Sequence, residues 1–293
     1  MKIFLTGANG FIGRNIKEQL GSKHEIISYS YKEVDLCKTE SVCEVLQGEG
    51  FDAIIHAAQI PTHRAAKNTE GAVMTNLLMQ ACISRAAALC GVKKMISYGS
   101  GSEYGREREL VDVNEKQIGK HIPYDMTGFT KYLSNLINEA GVKQYNLRCF
   151  GVFGKYEDYT LRFISNAICR ALCGYSVSLK QDRFYSYVYI DDLAVITDIF
   201  LQNNFKYSDY NIVSSEKWSL LDIARLVRKI SMKDVPINVA LQGRGLEYSG
   251  SNKRFLSEYL YTFTPMIDSV NMLFDWYVLN YDTIDREKLL YSR

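Results

Sequence analysis

Residues 6–13 read TGANGFIG and set Gly7, Gly10 and Gly13 at three-residue intervals. An apolar run, KIFLT, precedes them, and apolar residues at helical spacing follow: Phe11, Ile12, Ile16 and Leu20. That order predicts a strand, a tight turn and a helix. The three glycines then serve separate ends, one making the turn itself, one letting backbone approach a pyrophosphate, and one packing helix closely on strand. The helix N-terminus adds free N–H groups and the positive end of its dipole, both suited to phosphate. The stretch therefore predicts a dinucleotide site built from Gly7, Asn9, Gly10, Phe11, Ile12 and Gly13.

Outward from this turn the pattern repeats. A second strand is expected at EIISYS (25–30), a helix near 40–47, a third strand at FDAIIHAA (51–58), a helix near 72–90 and a fourth strand at KKMISYGS (93–100). A helix at about 127–140 and the strand QYNLRCF (144–150) continue it. Strands alternating with helices imply a parallel sheet covered on both faces, an α/β doubly wound architecture. Past Gly154 the alternation becomes irregular, with helices expected near 160–173, 191–203 and 219–230 and a strand around YSYVYI. We expect a dinucleotide-binding domain over 1–154, segments near 183–213 returning to it, and a smaller, mainly substrate-binding lobe over 155–293.

Composition narrows the class. At 293 residues and 47% hydrophobic the chain can bury a large core. Its formal charge of +2 comes from scattered Lys and Arg, which argues against nucleic acid or a membrane surface as partner. Seven cysteines, none in a C-x-x-C pair, point to free thiols in a reducing cytoplasm and to no metal site. Neither an N-terminal leader nor a run of transmembrane length is evident.

The cofactor's identity should be set at the end of the second strand, where an acidic side chain usually meets the adenosine ribose. That position falls near Ser30, with Lys32 close by and Arg14 just past the last glycine. A carboxylate would repel a 2′-phosphate, whereas these residues would receive one, so NADP(H) is expected over NAD(H).

Nearly the whole chain resembles the extended short-chain dehydrogenase/reductase family of nucleotide-sugar epimerases, dehydratases and ketoreductases. The carriers are TGANGFIG, VDL (34–36), IIHAAQ (54–59), Asn76, GSGSEYG (99–105), LRCFGVFG (147–154), YSYVYIDDLA (185–194) and YNIVSSEKWSLLDIARLV (210–227), in the family's order. The resemblance implies that Asp35 and Leu36 receive the adenine. It also implies that Ala57, Ala58 and Gln59 pass close to the cofactor, that Asn76 supports the site, and that Ser100 carries the catalytic hydroxyl. A nucleotide-linked sugar is the expected substrate, and a homodimer the candidate assembly.

The family's catalytic pair is a tyrosine with a lysine four residues on, so that both leave one helix face. The lysine holds the nicotinamide ribose, and the tyrosine exchanges a proton with the sugar. Lys131 matches this pattern; the tyrosine's place is held by Thr127. A threonine hydroxyl donates hydrogen bonds but is too weak an acid to replace a phenol. Three explanations stand open: an engineered substitution, a different acid, or binding without turnover. For a different acid Tyr124 is the first candidate, with Tyr104 and Tyr98 behind it.

Other departures bear on the reaction. The family's 4,6-dehydratases follow the catalytic hydroxyl with Asp and Glu, but here Gly101 and Ser102 stand there, so elimination of water is not expected. Gly151 takes the place of a diphosphate-binding asparagine and Tyr185 that of an arginine. Arg183, two residues before Tyr185 on the same strand face, and Arg162 are the candidates to bind the diphosphate. The expected activity is NADPH-dependent reduction of a keto group on a nucleotide-linked deoxysugar. A 4-epimerase and a cofactor-binding protein without turnover are the alternatives.

Overall fold

The structure, a computed structural model, describes residues 1–62 and 69–291. Its first half alternates strand and helix: β1 (Lys2–Thr6), α1 (Phe11–Leu20), β2 (Glu25–Ile27), α2 (Thr39–Glu49), β3 (Ala53–His56), α3 (Thr69–Leu89) and β4 (Lys94–Ser100). The short β5 (Leu110–Val113) leaves this pattern before α4 (Met126–Leu136) and β6 (Lys143–Cys149) resume it. Then come β7 (Val152–Phe153), α5 (Phe163–Leu172), β8 (Val177–Asp182), β9 (Phe184–Ser186), β10 (Val188–Tyr189), α6 (Ile190–Gln202) and β11 (Asp209–Ile212). The chain closes with β12 (Lys217–Ser219), α7 (Leu220–Ser231), β13 (Ile237–Arg244), β14 (Tyr248–Gly250), α8 (Lys253–Glu258), α9 (Met266–Leu279) and α10 (Arg286–Tyr291).

Six parallel strands form the central sheet in the order β11-β6-β4-β3-β1-β2. Alternate residues of each strand feed opposite faces, as the two-residue period of a strand requires. Ile3 and Leu5 join one apolar cluster with Ile16 and Leu20 of α1 and Leu193 and Ile196 of α6. Phe4 joins the other, with Val42 and Leu46 of α2 and Ile83 and Ala87 of α3. Because both faces are covered, β3 is buried along its whole length and reads as an unbroken apolar run. The order of the strands reverses between β1 and β3, which opens a crevice at their carboxyl ends.

One expectation needs correcting. The helix at Glu70–Leu89 is long and apolar enough, by length and composition, to cross a membrane. Its Met79, Ile83, Ala86 and Ala87 are instead buried against the sheet and α2, which accounts for its apolar composition.

A second sheet, β12-β9-β14-β5, lies across the crevice and contains strands from four distant parts of the chain. Within it β14 runs parallel to both β5 and β9, and β12 runs antiparallel to β9. Two glycines shape the passage from β6 into this region. A Cβ on Gly151 would meet the Tyr187 ring at 2.7 Å, and Gly154 has φ +152° with Ile190 Cγ2 only 2.1 Å from where its Cβ would be.

Candidate active site

The glycine turn is built for close approach. Gly7 has φ +69°, and a Cβ there would lie 2.5 Å from the Ala58 nitrogen, so no other residue fits without moving β3. A Cβ on Gly13 would lie 2.1 Å from the Gly7 carbonyl oxygen, which is how α1 comes to press against the turn. Gly10 caps α1 without a side-chain hydrogen bond, so the first N–H groups of the helix remain available to an anion. Asn9 stands exposed on the turn, and Phe11 and Ile12 line the adjoining cavity. These residues fit a dinucleotide pyrophosphate.

The end of β3 is pinned beside the turn. The Ala58 N–H donates to Thr6 Oγ1 at 3.2 Å, and Thr6 Oγ1 bonds His56 Nδ1 at 2.8 Å. Burial, helped by the Lys131 charge, pulls the His56 pKa down to about 3, so this histidine is a neutral fixture. Asn76 clamps the loop that follows: its Oδ1 accepts from the Ile60 N–H at 2.8 Å and its Nδ2 donates to the Ile60 carbonyl at 2.9 Å. Gln59 faces the cavity, and Ala57 lies partly buried at the strand end.

At the expected adenosine end the residues do not all converge. The Ser30 N–H donates to Glu33 Oε2 at 2.7 Å, so a carboxylate sits where a 2′-phosphate was expected. That bond holds Glu33 below the usual carboxylate range and keeps it charged. Arg14 stacks over the Tyr156 ring, 3.6 Å from its centre, and does not reach Ser30. Lys32 is exposed, while Lys17 brings an unforeseen cation to the region by donating to Ser28 at 3.0 Å. Asp35 accepts from the Cys37 N–H at 3.0 Å and pairs with Lys38 at 3.4 Å, and Leu36 packs on the α2–α3 cluster.

The reacting end is a cavity of about 400 Å³ lined in part by Ser100, Ser102, Thr127 and Lys131. Ser100 ends β4 and caps the turn of 3-10 helix at Gly101–Tyr104. Its Oγ accepts from the Ser102 N–H at 3.2 Å and from the Ser102 hydroxyl at 2.8 Å. Glu103, 0% exposed, turns away from the cavity. It accepts from the Ser100 N–H at 2.8 Å and from Arg148 Nε at 2.8 Å. The next turn of chain is drawn in by Gly128, where a Cβ would lie 2.4 Å from the Ser102 carbonyl oxygen. Thr127 and Lys131 thus share the cavity from one face of α4. Lys131 Nζ donates to the Tyr98 carbonyl at 2.6 Å, and burial lowers its pKa to about 8 against the opposing pull of Glu103.

The tyrosines considered as acids are placed elsewhere. Tyr124 precedes the α4 cap residue Asp125, is 79% exposed and packs edge-on against His121; it does not line the cavity. The Tyr98 hydroxyl bonds Thr197 at 2.9 Å in the core, and the Tyr104 hydroxyl donates to Asn211 at 2.9 Å.

The same cavity is lined by Arg162, Arg183 and Tyr185, together with Arg106, Tyr187, Tyr248 and Glu157, which sequence reasoning missed. Neither Arg162 nor Arg183 forms a salt bridge among the described residues. Glu157 is the one carboxylate in the lining among the described residues; it accepts the Ser165 hydroxyl at 2.5 Å, and burial raises its pKa to about 8. The ring of Tyr187 fills the space left by Gly151, which accounts for a glycine there. No local pattern announces these residues, because the second sheet gathers them from distant segments.

The sequence profile described as "NAD dependent epimerase/dehydratase family" matches residues 3–213. A GDP-L-colitose synthase from Yersinia pseudotuberculosis is 34% identical over 252 residues, covering 78% of this chain and 82% of that protein. Among solved structures, a GDP-mannoheptose C4 reductase from Campylobacter jejuni with NADP bound superposes with a TM-score of 0.81 at 18% identity, over 94% of this chain and 98% of that one. A UDP-glucose 4-epimerase from Thermotoga maritima with UDP-glucose gives 0.84 at 18% identity, over 96% and 100%. These two likenesses establish the fold.

Proposed function

The chain belongs to the NAD dependent epimerase/dehydratase family, and from that membership we propose that it reduces a keto group on a nucleotide-linked deoxysugar with NADPH. The observation that carries this reading is the cavity itself: Ser100, Thr127 and Lys131 meet there beside the dinucleotide turn, with no acid–base pair of carboxylates among the described residues. A 4,6-dehydratase needs such a pair. Here Glu103 is bonded to backbone and Arg148, and Glu157 to Ser165.

Bound at the turn, the reduced nicotinamide supplies the hydride. Ser100 orients the sugar carbonyl by donating to its oxygen, and Lys131 holds the ribose and places positive charge near the developing alkoxide. Arg162 and Arg183, which form no salt bridge among the described residues, take the diphosphate from the cavity lining. The lack of an acidic residue at position 30, with Lys32 and Lys17 nearby, supports NADPH; Glu33 opposes it and must swing aside when the 2′-phosphate arrives. The relative that is 34% identical makes a GDP-linked sugar the first substrate to try. All seven cysteines are free thiols, which supports action in the cytoplasm, and exposed Met74, Leu78 and Leu136 on α3 and α4 support a homodimer.

The test is cofactor absorbance with a panel of nucleotide-linked 4-keto-6-deoxysugars. A reductase oxidises one NADPH per sugar consumed; interconversion of two sugars with constant absorbance would identify an epimerase and overturn this reading.

A further inference from the structure

Resting on that reductase reading, we propose that the proton donor to the sugar oxygen is Tyr248, a phenol delivered by the second sheet in place of a tyrosine at position 127. Tyr248 lies on β14, held on both sides by β5 and β9, and is 7% exposed. Its ring packs on Phe150 at 5.1 Å and on Tyr185 at 5.5 Å between centroids, which fixes its direction. The hydroxyl is aimed at the catalytic serine turn: Tyr248 Oη lies 2.7 Å from where a Cβ on Gly101 would stand. Residue 101 must therefore be glycine for the phenol to reach this place. Ser100 lines the same cavity, and Arg106, ion-paired with Asp125 at 3.0 Å, adds positive charge there.

Among the other phenols near the site, Tyr185 stacks on Tyr187 with ring centroids 5.5 Å apart. Tyr98 and Tyr104 are bonded into the core, Tyr124 faces solvent, and Tyr187 lies toward Glu157 and Arg162. Of these, Tyr248 is the one whose hydroxyl stands in the cavity at the serine turn, beside Gly101. Burial raises its pKa, which keeps it protonated in the free enzyme but makes it a weaker acid, so the proton must pass as the oxygen gains charge.

Hydride from the reduced nicotinamide cofactor forms a C–H bond at the carbonyl carbon, and the cofactor is oxidised by two electrons. The C=O π pair moves onto oxygen, which takes the proton of Tyr248 as its O–H bond breaks. The phenolate, in the field of Arg106, recovers a proton from water at the cavity mouth.

The experiment compares the parent chain with Tyr248→Phe, Thr127→Val and Tyr124→Phe on one keto-sugar, measuring kcat, NADPH affinity by fluorescence titration, and the solvent deuterium isotope effect. Tyr248→Phe should lose about 10²–10⁴ in kcat, the usual worth of a positioned general acid, with NADPH affinity within about twofold of the parent and a changed isotope effect. An active parent whose Tyr248→Phe variant keeps kcat within about threefold, or whose Tyr124→Phe variant suffers the larger loss, overturns this assignment alone. Loss of NADPH binding together with turnover makes Tyr248 a structural residue and also overturns it. A parent that reduces no keto-sugar overturns the reductase reading and this assignment together.

Discussion

Thr62 donates its hydroxyl proton to Thr127 Oγ1 across 3.2 Å, joining the loop after β3 to the first turn of α4. Thr62 is only 4% exposed while Thr127 lines the cavity, so the bond is half-buried. Thr127→Val removes the acceptor and should destabilise the fold by about 1–3 kcal/mol, the cost of an unsatisfied buried donor. Thr127→Tyr should also lose this bond and, with Tyr248 supplying the proton, raise turnover by less than about tenfold, well below the worth of a new general acid. Thermal melts and steady-state assays of both variants check this; a gain of about a hundredfold or more for Thr127→Tyr would restore the helix residue as the acid.

Glu33 sets the cofactor preference against Ser30. Glu33→Gln should tighten NADPH binding relative to NADH by up to about fivefold, a modest effect because the charge is exposed and screened. Lys32→Glu should shift the ratio the other way. Paired dissociation constants at two salt concentrations test both, and the shifts should shrink at the higher one.

Lys131 predicts a pH limb. Its pKa is depressed to about 8, so it is charged below that pH and neutral above it. The kcat/KM of the parent, which reports the free enzyme, should therefore fall as pH rises through about 8, and Lys131→Arg should move that fall beyond the accessible range.

Glu157 predicts a stability trend. Its folded pKa of about 8 lies above the unfolded 4.5, so the folded chain binds the proton more tightly. Its contribution is fully present below pH 4.5 and is lost as pH rises to about 8. Glu157→Gln should melt progressively higher than the parent between pH 5 and pH 8, at roughly 2–4 °C per kcal/mol, with the gap closing in acid.

The doubly wound fold was legible because its signals are local: three glycines at fixed spacing between a strand and a helix, then strands and helices in alternation. The four-residue spacing of Thr127 and Lys131 was equally readable, since helical period alone puts both on one face. Tyr124 is near Thr127 in sequence, yet it precedes the helix cap and no helical constraint directs it inward. The Glu33 contact, three residues from Ser30, was within reach of local reasoning but not drawn. Tyr248 and Arg106 were beyond it, because what brings residue 248 to Gly101 is the pairing of β14 with β5 and β9.

The most direct test of the central claim follows the hydride. With NADPH deuterated at the transferred position of the nicotinamide and a GDP-linked 4-keto-6-deoxysugar, the account predicts one deuterium on the former carbonyl carbon of the product and one oxidised cofactor per product formed. Sugar conversion without label and without net cofactor oxidation would contradict it.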